Sequence, residues 1–402
     1  MTQDGIELTW SARVSRPSPF DPPEIFTRLR NERPLRPLIF ADGHPGWLAT
    51  GYDVVRAILA DSRFSIRREL AHPPVMMPNS NAQAVFTAPA PPGMFVRMDP
   101  PEHTRYRKLL AGEFTVRRMR GLEERIAEAA HGCLDDMETS GPPADLVTAL
   151  CVPVPTLLIC ELLGLPRPII PTFRQAAATA LDADSTQEQI QQAYATMLAL
   201  FPPLIASKRE HPTSDVYSGV INSGALSDEE LASIGLLLFA AGYETTSSML
   251  AMGTFALLEH PRQLQALRRD PSLIDNTVEE LLRYLTGPGG MLRTALEDVE
   301  VGGELIKKGQ TVELLVGAAN HDPARFQRPH EFDVTRPARG HLAFGHGIHQ
   351  CLGQQLARVE LRVVIQALFT RFPRLRLAAP AQEIPMKDDS PFFGPKRLPV
   401  QW

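Results

Sequence analysis

Apolar residues in this 402-residue chain recur mostly at helical spacing, with only short stretches of strand-like alternation. The longest helical pattern opens at Ser227-Asp228-Glu229-Glu230, a capping-box start, and predicts a helix over 231–258. Its centre, 234–241, is apolar on every side, the pattern of a helix running through a core. The stretch 152–163 is almost as apolar; Pro153 and Pro155 at its start predict a second buried helix after a bend. Shorter helices are expected over 24–30, 52–60, 101–110, 118–137, a run ending at Leu181, 187–204, 277–285 and 362–372. Alternation around Gly302-Gly303 predicts a small sheet over 299–316, and 391–402 closes with strand-like pieces. The stretch 72–93 is rich in Pro, Ala and Asn without periodicity, so it is either a plain connection or a functional loop. With no repeat and no dividing linker, the expectation is one domain over 1–402, mainly α with a minor β portion.

Composition narrows the class without naming it. Apolar content of 44% and charged content of 22% are ordinary for a globular chain. The net charge of −5 gives no support to bulk nucleic-acid binding. The first residues are polar, and no window approaches the ~18 uninterrupted apolar residues of a membrane span. Together with four cysteines that form no regular framework, this predicts a cytoplasmic protein in a reducing compartment. One local departure stands out: Arg105, Arg107, Lys108, Arg117, Arg118 and Arg120 are opposed in sequence only by Glu113. That patch is either a solvated face or a docking surface for an acidic partner.

Candidate chemistry lies at two places. Phe344-Gly345-His346-Gly347-Ile348-His349-Gln350-Cys351-Leu352-Gly353 sets a cysteine in a glycine-rich loop, just ahead of a helical pattern at Leu352, Leu356, Val359 and Val363. Backbone N–H groups at a helix start favour thiolate over thiol, and a thiolate can ligate a metal; a lone cysteine in such a loop reads first as a buried cysteine in a turn. In the apolar helix, Ala241-Gly242-Tyr243-Glu244-Thr245-Thr246 puts an acid beside a hydroxyl, which is costly there without a partner or a task. Gly242 suggests a locally opened turn that frees Thr245 from its own helix; the alternative is a kink with Thr245 bonded back to a carbonyl four residues earlier. A third pattern, Glu280-Leu281-Leu282-Arg283, is either an exposed i,i+3 ion pair or a buried anchor.

Phe-Gly-x-Gly-x-His-x-Cys-x-Gly resembles the haem-ligand signature of the cytochrome P450 monooxygenases, and every fixed position matches. The resemblance extends over nearly the whole chain and implies the P450 fold, with haem b between the long central helix and the cysteine loop. It implies Cys351 as axial iron ligand, and His103, Arg107, Arg293 and His349 as contacts of the haem propionates. It gives Thr245 the role of hydrogen-bonding the activated oxygen and Glu244 that of relaying protons. Glu280, Arg283 and Arg336 become the anchor of the segment before the cysteine loop. Residues 72–93 become part of a pocket roof, and the helices around 182–186 a lid. Val96, Phe239, Ala240, Leu292 and Phe393 fall in segments expected to wall the pocket, and the small run 287–290 in one expected to leave it spacious. The implied reaction is hydroxylation or epoxidation of a largely apolar small molecule such as a secondary-metabolite scaffold. Oxidative coupling without oxygen insertion, and a non-catalytic haem sensor, are the alternatives. Electrons would come from NAD(P)H through ferredoxin and its reductase, or through flavodoxin, to a monomer docked at the basic patch.

Overall fold

The computed structural model describes residues 5–9, 12–13, 15–74, 88–181, 185–286, 290–387 and 393–402. Most of the expected roof loop, the centre of the lid linker, Gly287–Gly289 and Phe392 lie outside the described residues. Helices dominate and strands are short, as the periodicity predicted. Among the described residues no helix is long and apolar enough to cross a membrane. The chain partitions into two compact units: one from 1–90, 96–103 and 279–351, the other from 91–95, 104–278 and 352–402.

The first unit is built on a five-stranded sheet, ordered Leu35–Ile39, Pro45–Ala49, Thr311–Leu314, Met291–Ala295 and Phe64–Ser65. Trp47, Val55, Ile58, Ile306, Val312 and Leu314 belong to one buried cluster of this unit, so strands and helix Tyr52–Ala60 share a core. The sheet expected over 299–316 divides in two. Gly302 and Gly303, at φ 58° and 82°, close a tight hairpin between Val299–Val301 and Glu304–Ile306, and only Thr311–Leu314 joins the larger sheet.

The second unit is mostly helical. Its long helix, Asp228–Glu259, has 32 residues and starts on the expected capping box, with Ser227 and Glu230 exchanging side-chain bonds. Helices Pro153–Leu163, Phe201–Glu210 and Gln354–Arg371 pack against it. The helix expected over 187–204 is two, Gln187–Leu198 and Phe201–Glu210. Pro202 and Pro203 have no N–H for the preceding turn, so the chain restarts there. Arg105 is spent inside this unit: it pairs with Glu230, which also accepts from the Tyr106 hydroxyl (2.6 Å) and the Ser227 N–H (2.7 Å). Charge reversal at Arg105 would break a helix cap, which removes it as a clean probe of docking. Arg118 is likewise paired, with Glu113, while Lys108, Arg117 and Arg120 are exposed.

Candidate active site

Cys351 ends a loop whose turns are set by Gly345 and Gly347, at φ 68° and 76°, a region other residues enter only with strain. At Gly347 space also excludes a side chain, since a Cβ would lie 2.5 Å from the Leu59 carbonyl oxygen. The Cys351 N–H donates to the Phe344 carbonyl (2.8 Å) and the Gln350 N–H to Gly347 (3.1 Å), folding the loop onto itself. The following helix begins at Gln354, so the cysteine is presented just before the first turn. Of the four cysteines it alone is exposed. Burial pushes the thiols of Cys133, Cys151 and Cys160 up, that of Cys160 to about 12, which keeps them protonated.

The scaffold ahead of this loop is ionic and its centre is fully buried. Glu280 accepts from Arg283 at both oxygens (2.7 and 2.8 Å), from Arg336 Nε (3.1 Å) and from the Asp333 N–H (3.1 Å). Arg283 also donates to the Asn320 and Pro329 carbonyls, each at 2.9 Å. The side chains of Glu280 and Arg283 are 0% exposed, a placement that is tolerable only because donors and lone pairs are matched. The Asn320 side chain carries the order onward, accepting from the Leu342 N–H (2.7 Å) and donating to Thr286 Oγ1 (2.7 Å). The i,i+3 pair is thus the buried anchor and not the exposed one.

Cations gather in the same unit. The His103 and His349 rings lie 4.2 Å apart. Arg293, on strand Met291–Ala295, is 4% exposed and donates to the Leu292 carbonyl (2.8 Å). Burial, then the nearby Arg68, pull its guanidinium down to about 10, with Asp99 opposing. Arg68 is itself lowered by burial and by Arg97. The Asp99 carboxylate already takes the Ser65 hydroxyl (2.5 Å) and the Ile66 N–H (3.0 Å). Buried Arg293 and partly buried Arg68, close enough for Arg68 to disfavour the charge on Arg293, suit an anionic ligand, and the two propionates of a haem meet that requirement. Arg68 and Arg97 were not legible in the sequence. Arg68 is brought near Arg293 by the pairing of Ser65 with Thr294, a register between strands more than 200 residues apart. Arg107 lies one turn beyond His103 on helix Glu102–Ala111 and falls in the other unit, as do Glu244 and Thr245.

On the central helix the expected open turn is not formed. Asp228–Glu259 runs unbroken, and the Thr245 hydroxyl donates to the Ala241 carbonyl at 2.7 Å. Gly242 serves packing instead: a Cβ there would lie 2.8 Å from Ile159 Cδ1, on helix Pro153–Leu163. Glu244 accepts from Lys387 Nζ at 2.7 Å. The neighbouring Tyr243 hydroxyl is held protonated by burial and then by Glu244, against Arg174 of helix Ile169–Leu181. Thr246 partners Glu360, which is 3% exposed and pushed up to about 8 by burial, so it is mostly protonated at neutral pH. Lys387 and Glu360 escaped the sequence reading. For Glu360 a signal existed: it occupies the face that carries Leu356 and Val363, both of them buried.

Two expected pocket walls are otherwise employed. A Cβ on Gly290 would lie 2.4 Å from Glu313 Oε1, so this position faces a buried carboxylate, itself held by Arg13 at 2.5 and 2.8 Å. The Gly290 position therefore does not open space for a ligand. Phe239 is fully buried, its ring 3.9 Å from that of Phe173.

The comparisons with known proteins agree with this geometry. The Cytochrome P450 family model matches residues 157–402. Cytochrome P450 105C1 of Streptomyces sp is 47% identical over 385 residues, covering 95% of this chain and 96% of that protein. Pentalenic acid synthase of Streptomyces avermitilis is 41% identical over 410 residues, covering 100% of both. The crystal structure of CYP105P1 in complex with filipin I superposes with a TM-score of 0.90 at 40% identity, covering 99% of each chain. The cysteine loop, its buried ionic scaffold and the cation cluster fit one family: the chain belongs to the cytochrome P450s and is a haem-thiolate monooxygenase.

Proposed function

We propose that this P450 hydroxylates or epoxidises a largely apolar organic small molecule of secondary metabolism, and that Glu244 and Thr245 handle the protons the reaction consumes. The observation that carries the reading is the pair itself: a carboxylate and a hydroxyl on adjacent positions of the long helix, just after its apolar run 236–241. Haem, when bound with a thiolate ligand, supplies reductive activation of dioxygen. In the same proposal Cys351 is that ligand, and His103, Arg107, Arg293 and His349, joined by Arg68, hold the propionates. Glu244 takes protons from solvent at its carboxylate and hands them on. Thr245 keeps its proton at Oγ in the bond to Ala241, which costs about 1 kcal/mol net to give up. A relative named for making pentalenic acid and a neighbour crystallised with filipin I both favour an organic molecule over a macromolecular substrate.

Electrons are proposed to come from NAD(P)H through a ferredoxin and its reductase, or a flavodoxin, docking on the exposed Lys108, Arg117 and Arg120. The protein is taken to work as a single-domain monomer in the cytoplasm. The three burial-raised thiols suit a reducing compartment, and neither compact unit is one continuous stretch of chain. The test is a spin-state titration of the haem-loaded protein against a natural-product panel, followed by the product mass of each hit. A gain of one oxygen is expected; loss of two hydrogens without oxygen would replace this reading by oxidative coupling. Cys351→Ser should abolish the thiolate-specific carbon monoxide difference band.

A further inference from the structure

Both members of the acid–alcohol pair are engaged elsewhere: Thr245 with its own helix, Glu244 with Lys387. The lysine belongs to a hairpin near the C-terminus whose base is well fixed. Met386 bridges Pro395, the Lys387 N–H donates to the Gly394 carbonyl (2.8 Å), and the Lys396 N–H donates to the Pro385 carbonyl (2.7 Å). Gly394 rests on the central helix, where a Cβ would stand 3.6 Å from Ser248 Cβ and 3.7 Å from Met252 Cγ. The hairpin is therefore seated one turn beyond Glu244, and from there the ammonium reaches back to the carboxylate.

The ion pair is largely withdrawn from water, with Lys387 26% and Glu244 13% exposed. The ammonium and the carboxylate are in direct contact at 2.7 Å, so the pair fixes where the carboxylate points. The groups facing Glu244 are Lys387 from the hairpin and Tyr243 from its own helix, with Arg174 of helix Ile169–Leu181 acting on Tyr243. A proton carrier must be protonated and deprotonated in each cycle, and taking up a proton here ends the ion pair with Lys387 and leaves at most a neutral hydrogen bond.

We propose that Lys387 is a positioning residue for Glu244: its ion pair latches the carboxylate to the C-terminal hairpin, and the proton relay runs only when that pair opens. The latch rests on the reading of Glu244 as the relay. It makes the C-terminal hairpin, and not the central helix alone, a determinant of how fast protons arrive.

The test uses the haem-loaded full chain as wild type, Lys387→Met, Lys387→Arg and Glu244→Gln. Infrared titration follows the Glu244 carboxyl band, assigned by its loss in Glu244→Gln. The midpoint should rise in Lys387→Met, which removes the facing cation, and return towards wild type in Lys387→Arg. Peroxide release per dioxygen consumed, without added substrate and with ferredoxin, its reductase and NADPH supplying electrons, should show its acid limb displaced in the same direction in Lys387→Met. An unmoved midpoint in a Lys387→Met protein with wild-type haem content and circular dichroism overturns the latch. So does a moved midpoint with an unchanged peroxide profile, provided Glu244→Gln alters that profile. If Glu244→Gln leaves the profile as in wild type, the relay reading fails and the latch falls with it. Should Lys387→Met not fold, Lys387→Gln takes its place with the same expected and overturning results.

Discussion

Glu360 shows how much a single position can be worth once its surroundings are known. It lies on the apolar face of helix Gln354–Arg371 with the Thr246 hydroxyl as partner, and burial raises its folded pKa to about 8. The unfolded chain releases that proton in the ordinary glutamate range, so over the interval between the two values the folded state holds more protons. Stability from this group is fully present below the unfolded value and is lost as pH rises through about 8. Urea unfolding of the wild type should therefore lose on the order of a few kcal/mol between about pH 5 and 8 relative to Glu360→Gln, which keeps the hydrogen bond without the charge. If the two proteins share one pH slope, Glu360 is not the neutral acid described.

At the scale of elements, the segment leading to Cys351 is organised by Glu280, Arg283 and Arg336, with Asn320 as the link to Leu342. Glu280→Gln leaves two buried guanidinium groups without their carboxylate. It should cost about 3–5 kcal/mol in chemical unfolding and lower haem retention in parallel. A variant that keeps wild-type stability would mean that Arg283 and Arg336 are held by their backbone carbonyls alone. This arrangement also shows which parts of the molecule the sequence made legible. The cysteine loop and the i,i+3 acid–base pair are local patterns, and they formed as the spacing predicted. The capping box at Ser227 did too. Gly242 was misread because a glycine in a helix has two uses, opening a turn or admitting a neighbour, and only the Ile159 contact decides between them. Lys387, Arg68 and the true surroundings of Gly290 and Phe239 depend on long-range pairing, which periodicity does not encode.

For the whole molecule, the net charge of −5 makes the exposed cations at Lys108, Arg117 and Arg120 a local exception. Arg117→Glu with Arg120→Glu should slow reduction by an acidic ferredoxin at low salt, and the difference should fade as ionic strength rises. Stopped-flow reduction rates that match wild type at every ionic strength would move the docking face elsewhere. Because Arg105 closes a helix cap with Glu230, its own reversal should report on stability instead.

The five-stranded sheet has a further consequence, for the order in which the protein can be made. Strand Pro45–Ala49 runs parallel to Thr311–Leu314, so the early strand leaves the ribosome long before its neighbour exists. The long central helix and most of its packing partners are synthesised in between. The cysteine loop follows later still in the sequence. If Cys351 is the ligand proposed above, haem capture through it must wait until the sheet strands and the central helix have all been made.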